Sequence, residues 1–400
     1  VRARTDPRRS LTAALGALGA LAVLVLSVAG RSQDRPVEWG EWEVEQMAFR
    51  FAVFQQEGRG LQSQAEIDAS GRGSEHAWIF QPMLSALIRQ DRSTTHSLTL
   101  PIDIVTAASP DALNPDVVTN ASRENEAAGL DLVTSVRAED DLTYQLHIGF
   151  HFEEYWGSGQ VGGAVLHSFA DENATLRLGV ETIFDSFDPL QPDGVDPGPV
   201  VNRFGTAVSG SLSQLLSPTT VVSGGYTFTA QFGHLETTYN SVPVEGGGRL
   251  ADRYPRNRGR HTLTGELRQA IPETDTYLAA SYRFYADTFG ALAHSAVLTV
   301  TQYVGDLWLR GHYRFHHQDA PGFWIASAAT ADAPSWLLRT ADSDLETLDA
   351  HEAGLGVRWF FDRRGALTAL SSYVQLGYVA YLRTNGLAMH VGSLDFGVGF

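Results

Sequence analysis

The sequence predicts an all-β fold: a transmembrane, antiparallel, up-and-down β-barrel of about sixteen strands. Three observations carry that prediction. From about residue 42 onward, apolar and polar residues alternate with a period of two; turn-forming residues interrupt the alternation at intervals; and the final run closes on an aromatic residue, Phe400. Alternation places successive side chains on opposite faces of a strand, so each segment carries one apolar and one polar face.

The N-terminus carries Arg2, Arg4, Arg8 and Arg9, then runs without a charge from Leu11 to Gly30 and ends in small residues. This three-part layout predicts a cleavable export signal over residues 1–30. A stretch of about 20 apolar residues is also long enough for an uncleaved helical anchor, which is the competing expectation. Residues 31–41 read as a short periplasmic lead and residues 42–400 as the barrel. No later segment reaches the roughly 18 consecutive apolar residues of a membrane helix.

The clearest strand is Leu142 to Glu153. Tyr144, Leu146, Ile148, Phe150 and Phe152 alternate there with Gln145, His147, Gly149, His151 and Glu153. Leu307 to His316 repeats the pattern, with Leu309, Tyr313 and Phe315 on one face and Arg310, His312, Arg314 and His316 on the other. Charges are costly against lipid and fit a polar lumen, so the second face is expected to point inward. Similar dyads run through Met47 to Val53, Leu98 to Val105, Leu130 to Arg137, Thr262 to Arg268, Tyr277 to Tyr285, Val374 to Leu382 and Leu394 to Phe400.

Connections alternate in length. Short ones at Asp91 to Thr94, Ala138 to Asp141, Asp171 to Asn173, Ser217 to Thr220, Pro272 to Asp275 and Gly305 to Asp306 predict tight periplasmic turns. Longer ones at Glu57 to Arg72, Ala107 to Glu124, Asp185 to Pro199, Leu235 to Asn257 and Gln318 to Thr347 fall on the opposite, external side, where three further connections are short. The last strand, Leu387 to Phe400, resembles the terminal signal read by the barrel assembly machinery, an expected partner through Phe400.

Composition narrows the functional classes. The chain has a net charge of −17, and removing residues 1–30 makes it more acidic still, which argues against a nucleic-acid partner. All 29 basic residues are arginine. Without cysteine, disulfides, Cys-based zinc sites, attached haem and a lipidated Cys are all excluded.

Some segments carry a more specific likeness. Leu216-Ser217-Pro218, Arg258-Gly259-Arg260-His261 and the run from Ser281 to Gly290 resemble a large family of uncharacterised bacterial outer-membrane proteins defined only as a domain of unknown function. Asp103 to Pro110 is a weaker match. Phe289 replaces an expected Trp and Ala107 an expected Gly, so the chain resembles a divergent member. The resemblance implies a barrel and brings no activity.

The candidate functional residues are the charges expected along the lumen: Arg310, Arg314, His312, Arg283, Arg268, Glu266, Asp131, Arg137 and His147. His147 and His151, like His312 and His316, are four residues apart on one face, about 13 Å at strand rise and too far for one metal ion. The two strands fall about eight positions apart, on opposite walls.

In the loops, Asp111, Asn114 and Asp116 offer oxygen ligands suited to calcium, although the same residues make ordinary turns. Acidic residues crowd Asp185 to Asp196 and Asp319 to Glu346, either as solvated loop charges or as a cation-attracting mouth. Arg249, Arg253 and Arg256, with Arg258 and Arg260, precede a strand expected to start near His261 and suit lipopolysaccharide phosphates. Tyr155, Trp156, Phe284, Tyr285 and Phe289 are expected in an interfacial girdle against membrane lipid.

His294 and Ser295 are adjacent and so point to opposite faces, and no nucleotide loop, paired-histidine helix or other recognised catalytic signature is present, so neither an enzyme nor a cofactor is expected. The sequence points instead to passive, porin-like passage of small hydrophilic solutes across a bacterial outer membrane. The alternative is a plugged or closed barrel acting as a scaffold for a surface or periplasmic partner, with Gln318 to Thr347 as plug or docking surface. Nothing in the sequence specifies an oligomeric state.

Overall fold

A computed structural model describes residues 42–59, 76–105, 125–153, 156–189, 198–236, 240–334, 336–362 and 371–400. The expected export signal, the periplasmic lead and the calcium loop with Asp111, Asn114 and Asp116 lie outside the described residues.

The chain forms strands β1 (Glu43–Glu57), β2 (Ala77–Arg89), β3 (Thr94–Val105), β4 (Asn125–Glu139), β5 (Leu142–Glu153) and β6 (Trp156–Phe169). It continues with β7 (Ala174–Phe187), β8 (Val201–Ser217), β9 (Thr220–Gly233), β10 (Ser241–Pro243), β11 (Arg249–Ala251) and β12 (Asn257–Ile271). The last six are β13 (Thr276–Asp287), β14 (Leu292–Val304), β15 (Leu307–Gln318), β16 (Leu348–Asp362), β17 (Ser372–Arg383) and β18 (Ala388–Gly399).

Sixteen of these close into one barrel in which each strand pairs with its sequence neighbours and β1 pairs with β18. β10 and β11 form a separate hairpin within the β9–β12 connection. At the seam, twelve residues from Gln46 to Glu57 pair with Gly399 to Ala388, and the amide of Phe400 donates to the Glu45 carbonyl at 3.0 Å. Closure leaves no sheet edge, which a barrel in lipid requires because nothing there would satisfy open backbone groups.

The two wall faces follow from register. Directly paired residues share a face, so Asp131 opposite Gly149, His147 opposite Gly162, and Gly162 opposite Glu181 all point the same way. That face is inner. The alternate positions carry exposed large apolar side chains, among them Leu146, Phe150, Phe152, Leu178, Phe184, Leu298, Leu355 and Leu376. Such a wall has no counterpart in a water-soluble protein and fits the hydrocarbon of a bilayer.

The outer wall carries a repeated device near the long-loop end of four hairpins. Tyr226, Tyr282, Tyr313 and Tyr378 meet Nδ1 of His261, His294, His351 and His390 at 2.5 to 2.7 Å. In the first three, Phe228, Phe284 and Phe315 also pack against the same imidazole, with ring centres 5.0 to 5.4 Å apart.

The expected girdle is only partly as the sequence suggested. Phe284 faces outward, but Tyr285 is buried on the inner face and Trp156 stacks there on Phe187 at 4.4 Å. Phe289 packs in a loop core, and Tyr155 lies outside the described residues. Tyr285 shares its phase with Arg283 and Asp287, so the alternation that turns their charges inward turns its ring inward too.

Three connections at the long-loop end fold into a cap. Leu235 and Tyr254 from the β9–β12 connection, Phe289 from the β13–β14 turn, and Phe323 and Leu345 from the β15–β16 connection form one apolar cluster. Val242, Val244, Leu250, Ile325, Ala328 and Ala341 form another. Bridges Val244 to Ala328 and Arg253 to Arg339 stitch the two long connections together.

Candidate functional site

The inner wall is the surface on which the sequence-predicted residues converge, and the strands impose how. On β4 to β7, Asp131 Oδ1 accepts from Gln160 Nε2 at 2.9 Å and lies 3.3 Å from His147 Nε2. His147 Nδ1 stands 3.5 Å from Glu181. Gly149 and Gly162 leave room for this network: a Cβ on Gly149 would collide with Gln160 and Asp131, and one on Gly162 would press on Glu181. Side chains from four strands therefore make one hydrogen-bonded patch.

The opposite wall is built on β12 to β16. His312 Nε2 meets Glu352 Oε1 at 2.9 Å, and Arg314 lies 3.8 Å from the same carboxylate. Arg310 lies over Trp308, with its guanidinium carbon 5.8 Å from the ring centre. Arg268 is ion-paired with Glu266 two residues away on β12. Arg283 shares the inner face with Ser295 and Thr264. In the barrel order, β5 and β15 are eight strands apart in the ring of sixteen, so these two patches face one another.

Charge is unevenly divided between the patches. Among the described side chains, the inner face of β4 to β7 bears Asp131, Glu153, Glu181 and Asp185 against Arg137 and Arg177. That of β12 to β16 bears Arg258, Arg260, Arg268, Arg283, Arg310, Arg314 and Arg358 against Glu266, Asp287 and Glu352.

Arg358 was not singled out from sequence. It donates to Gln375 Oε1 at 2.8 Å and lies 3.9 Å from the Tyr373 ring centre and 4.8 Å from that of Trp308. Arg50 and Asp395, ion-paired across the β1–β18 seam, were missed likewise. Val357-Arg358-Trp359 and Leu394-Asp395-Phe396 carry the same alternation that marked Arg310. The inner wall is also not polar throughout: Ala52, Phe54 and Ile79 pack there with Met389 and Val391.

The arginine-rich segment divides. β12 begins at Asn257 rather than near His261, so Arg258 and Arg260 belong to the inner wall, where they bond Asp287 and the Tyr285 hydroxyl. Arg249 donates to the Ser241 carbonyl at 2.6 Å within the cap hairpin, and the backbone of Arg253 pairs with Arg339. Arg256 is exposed.

The cap reaches the inner wall. Asp344 forms a buried ion pair with Arg383 of β17, and Gln318 Nε2 donates to the carbonyls of Asp344 and Glu346 at 2.7 and 2.8 Å. Within the cap, Asp252 accepts from Asn240 and Thr340, each at 3.1 Å. Burial nevertheless pushes its carboxyl up to about 7, with Glu236 adding in the same direction. Burial likewise pushes the Asp344 carboxyl up, against the opposing pull of Arg383. Among the described residues no group of three His, Asp or Glu side chains is placed to hold a metal ion.

A closed sixteen-stranded barrel, apolar outside and lined with charge and hydrogen-bonding groups inside, defines a porin-like membrane barrel. Within that class, the chain belongs to the family described as protein of unknown function (DUF3570), whose model matches residues 104–390.

Solved structures similar to the chain include Pseudomonas aeruginosa OccK3 (OpdO), at 9% identity over 89% of this chain and 95% of that one, with a TM-score of 0.43. Pseudomonas aeruginosa OccD3 (OpdP) is similar at 10% identity over 92% and 95%, with a TM-score of 0.43. The siderophore receptor PirA from Pseudomonas aeruginosa is similar at 11% identity over 87% of this chain, with a TM-score of 0.41; the match spans 56% of PirA. No curated protein matches the sequence.

Proposed function

We propose that this chain is a bacterial outer-membrane barrel that lets small hydrophilic solutes cross passively. One observation carries the reading: a lining of charged and hydrogen-bonding side chains inside a wall whose outer positions are apolar. Sixteen strands enclose more space than wall side chains fill, so water and solutes have room between the two patches. The charge-free run after Arg2 to Arg9 supports export, and the alternating aromatic residues Phe396 and Phe400 suit recognition by the barrel assembly machinery. Arg256, exposed beside the cap, is suited to lipopolysaccharide phosphate.

The cap favours a second reading, a gated or plugged barrel serving as a scaffold. Its Asp344–Arg383 pair fastens the β15–β16 connection to the inner wall. Single-channel conductance of the refolded chain in a planar bilayer, with and without residues 320–343, separates the two. Steady nanosiemens steps from the intact protein support the open channel. Silence that turns to conductance on deletion favours the plug, and silence from both folded proteins rejects passage.

A further inference from the structure

At the short-turn end, β2 to β5 line an open hollow of about 360 Å³ on the inner wall. Its lining includes Arg89, Arg92, Arg137 and the hydroxyl residues Thr95, Ser135 and Thr143, and no acidic residue. Arg89, Thr95 and Ser135 form one register row across β2, β3 and β4, and Arg137 pairs with Thr143 in the row beside it. All these strand residues therefore share the inner face.

The acids nearby are occupied elsewhere, engage only one arginine or lie outside the hollow. Glu139, Asp140 and Asp141 lie at the exposed β4–β5 turn beside Arg137 and do not line the hollow, and Asp141 is 3.6 Å from His167. Asp91 Oδ1 accepts from the amides of Ser93 and Thr94 and from the Ser93 hydroxyl, each at 2.8 Å, which commits its carboxylate to the turn. Those donors hold the Asp91 carboxyl below its ordinary range. Glu45 is ion-paired with Arg89, which Glu43 also faces in register. Arg92 and Arg137 are exposed and have no acidic partner among the described residues.

Two unpaired guanidinium groups and a row of hydroxyls converging on one hollow make an environment for a small anion with several acceptor oxygens. We propose that this hollow binds small oxyanions, of the phosphate, sulfate or carboxylate type, at the short-turn mouth of the barrel. Its position on the inner face separates it from lipid headgroups and makes the ligand a dissolved solute. The inference rests on the proposed reading to the extent that solutes enter the lumen. Binding itself is measurable without passage.

The test is equilibrium dialysis of the folded full chain in detergent against labelled inorganic phosphate. Wild type is compared with the double variant Arg92→Gln, Arg137→Gln and with Arg310→Gln on the opposite wall. Heat-modifiable electrophoretic mobility confirms that each barrel is folded. One saturable site per chain is expected, competed by sulfate, weakened at least tenfold in the double variant and unchanged in Arg310→Gln. Absence of saturable binding, or equal affinity in wild type and the double variant, overturns the site. An equal loss in Arg310→Gln also overturns it, because diffuse lumen charge would then be responsible. Saturable binding with this pattern in a barrel that never conducts rejects passage and keeps the site.

Discussion

Arg383, on the inner face of β17, forms a buried ion pair with Asp344 from the connection between β15 and β16. Removing one member of such a pair leaves an uncompensated charge, at about 3 to 5 kcal/mol. Arg383→Gln is expected to release the cap, with proteolysis between residues 320 and 343 rising at least tenfold while the barrel strands stay protected. Unchanged cleavage would show that the remaining ties, Asn385 Nδ2 to the Ser343 carbonyl at 2.9 Å and Gln318 Nε2 to those of Asp344 and Glu346, hold the cap without the ion pair.

The cap is also expected to respond to pH through Asp252. A carboxyl with its folded value raised to about 7 binds its proton more tightly in the closed cap than in an opened loop. The stabilisation is complete below the ordinary value of 3.8, declines as pH rises and levels off above about 7, a change on the order of 4 kcal/mol. Burial pushes nearby His234 down, so protonation below about 6.5 acts in the opposite sense. Hydrogen exchange across residues 240–254 between pH 4 and 8 should therefore be read as wild type minus Asp252→Asn, and that difference should slope toward faster opening as pH rises. A flat difference would count against a buried, protonated Asp252.

Gly354 supplies the space in which His312 lies. A Cβ at that position would fall on the imidazole, whereas one at Gly356 would meet only the Leu376 carbonyl at 3.8 Å. Gly354→Ala is expected to displace His312 from Glu352 and destabilise the barrel by about 1 to 3 kcal/mol. Gly356→Ala should stay within about 0.5 kcal/mol. Urea unfolding in lipid vesicles measures both.

The four outer Tyr–His pairs stand on separate hairpins, so their contributions should add. Each Tyr→Phe change removes one hydrogen bond and keeps the ring, at about 0.5 to 1.5 kcal/mol. The fourfold variant should unfold at lower urea by close to the sum of the single changes. Marked non-additivity would indicate that the pairs act as one continuous belt.

Strand faces were legible in the sequence wherever charge and aromatic residues alternate without interruption, as at Leu309, Arg310, His312, Tyr313 and Arg314. Phase is harder to read at a strand end. Gly259 between Arg258 and Arg260 obscures the alternation at the start of β12, and the segment reads as a loop. Trp156 opens β6, and only pairing with β7 settles which face it takes. The cap had no local signal at all: Thr340 meets Asp252 across 88 residues, and Tyr254 meets it across 86. Such contacts depend on the barrel first bringing the roots of two long connections together.

The unequal division of charge between the facing walls has a further consequence. Acids predominate on β4 to β7, while arginines predominate on β12 to β16. The separation points an electric field across the lumen, perpendicular to the barrel axis. A zwitterion passing between Glu181 and Arg314 would be turned sideways, its ammonium toward one wall and its carboxylate toward the other. Neither end would lead through that stretch of the barrel.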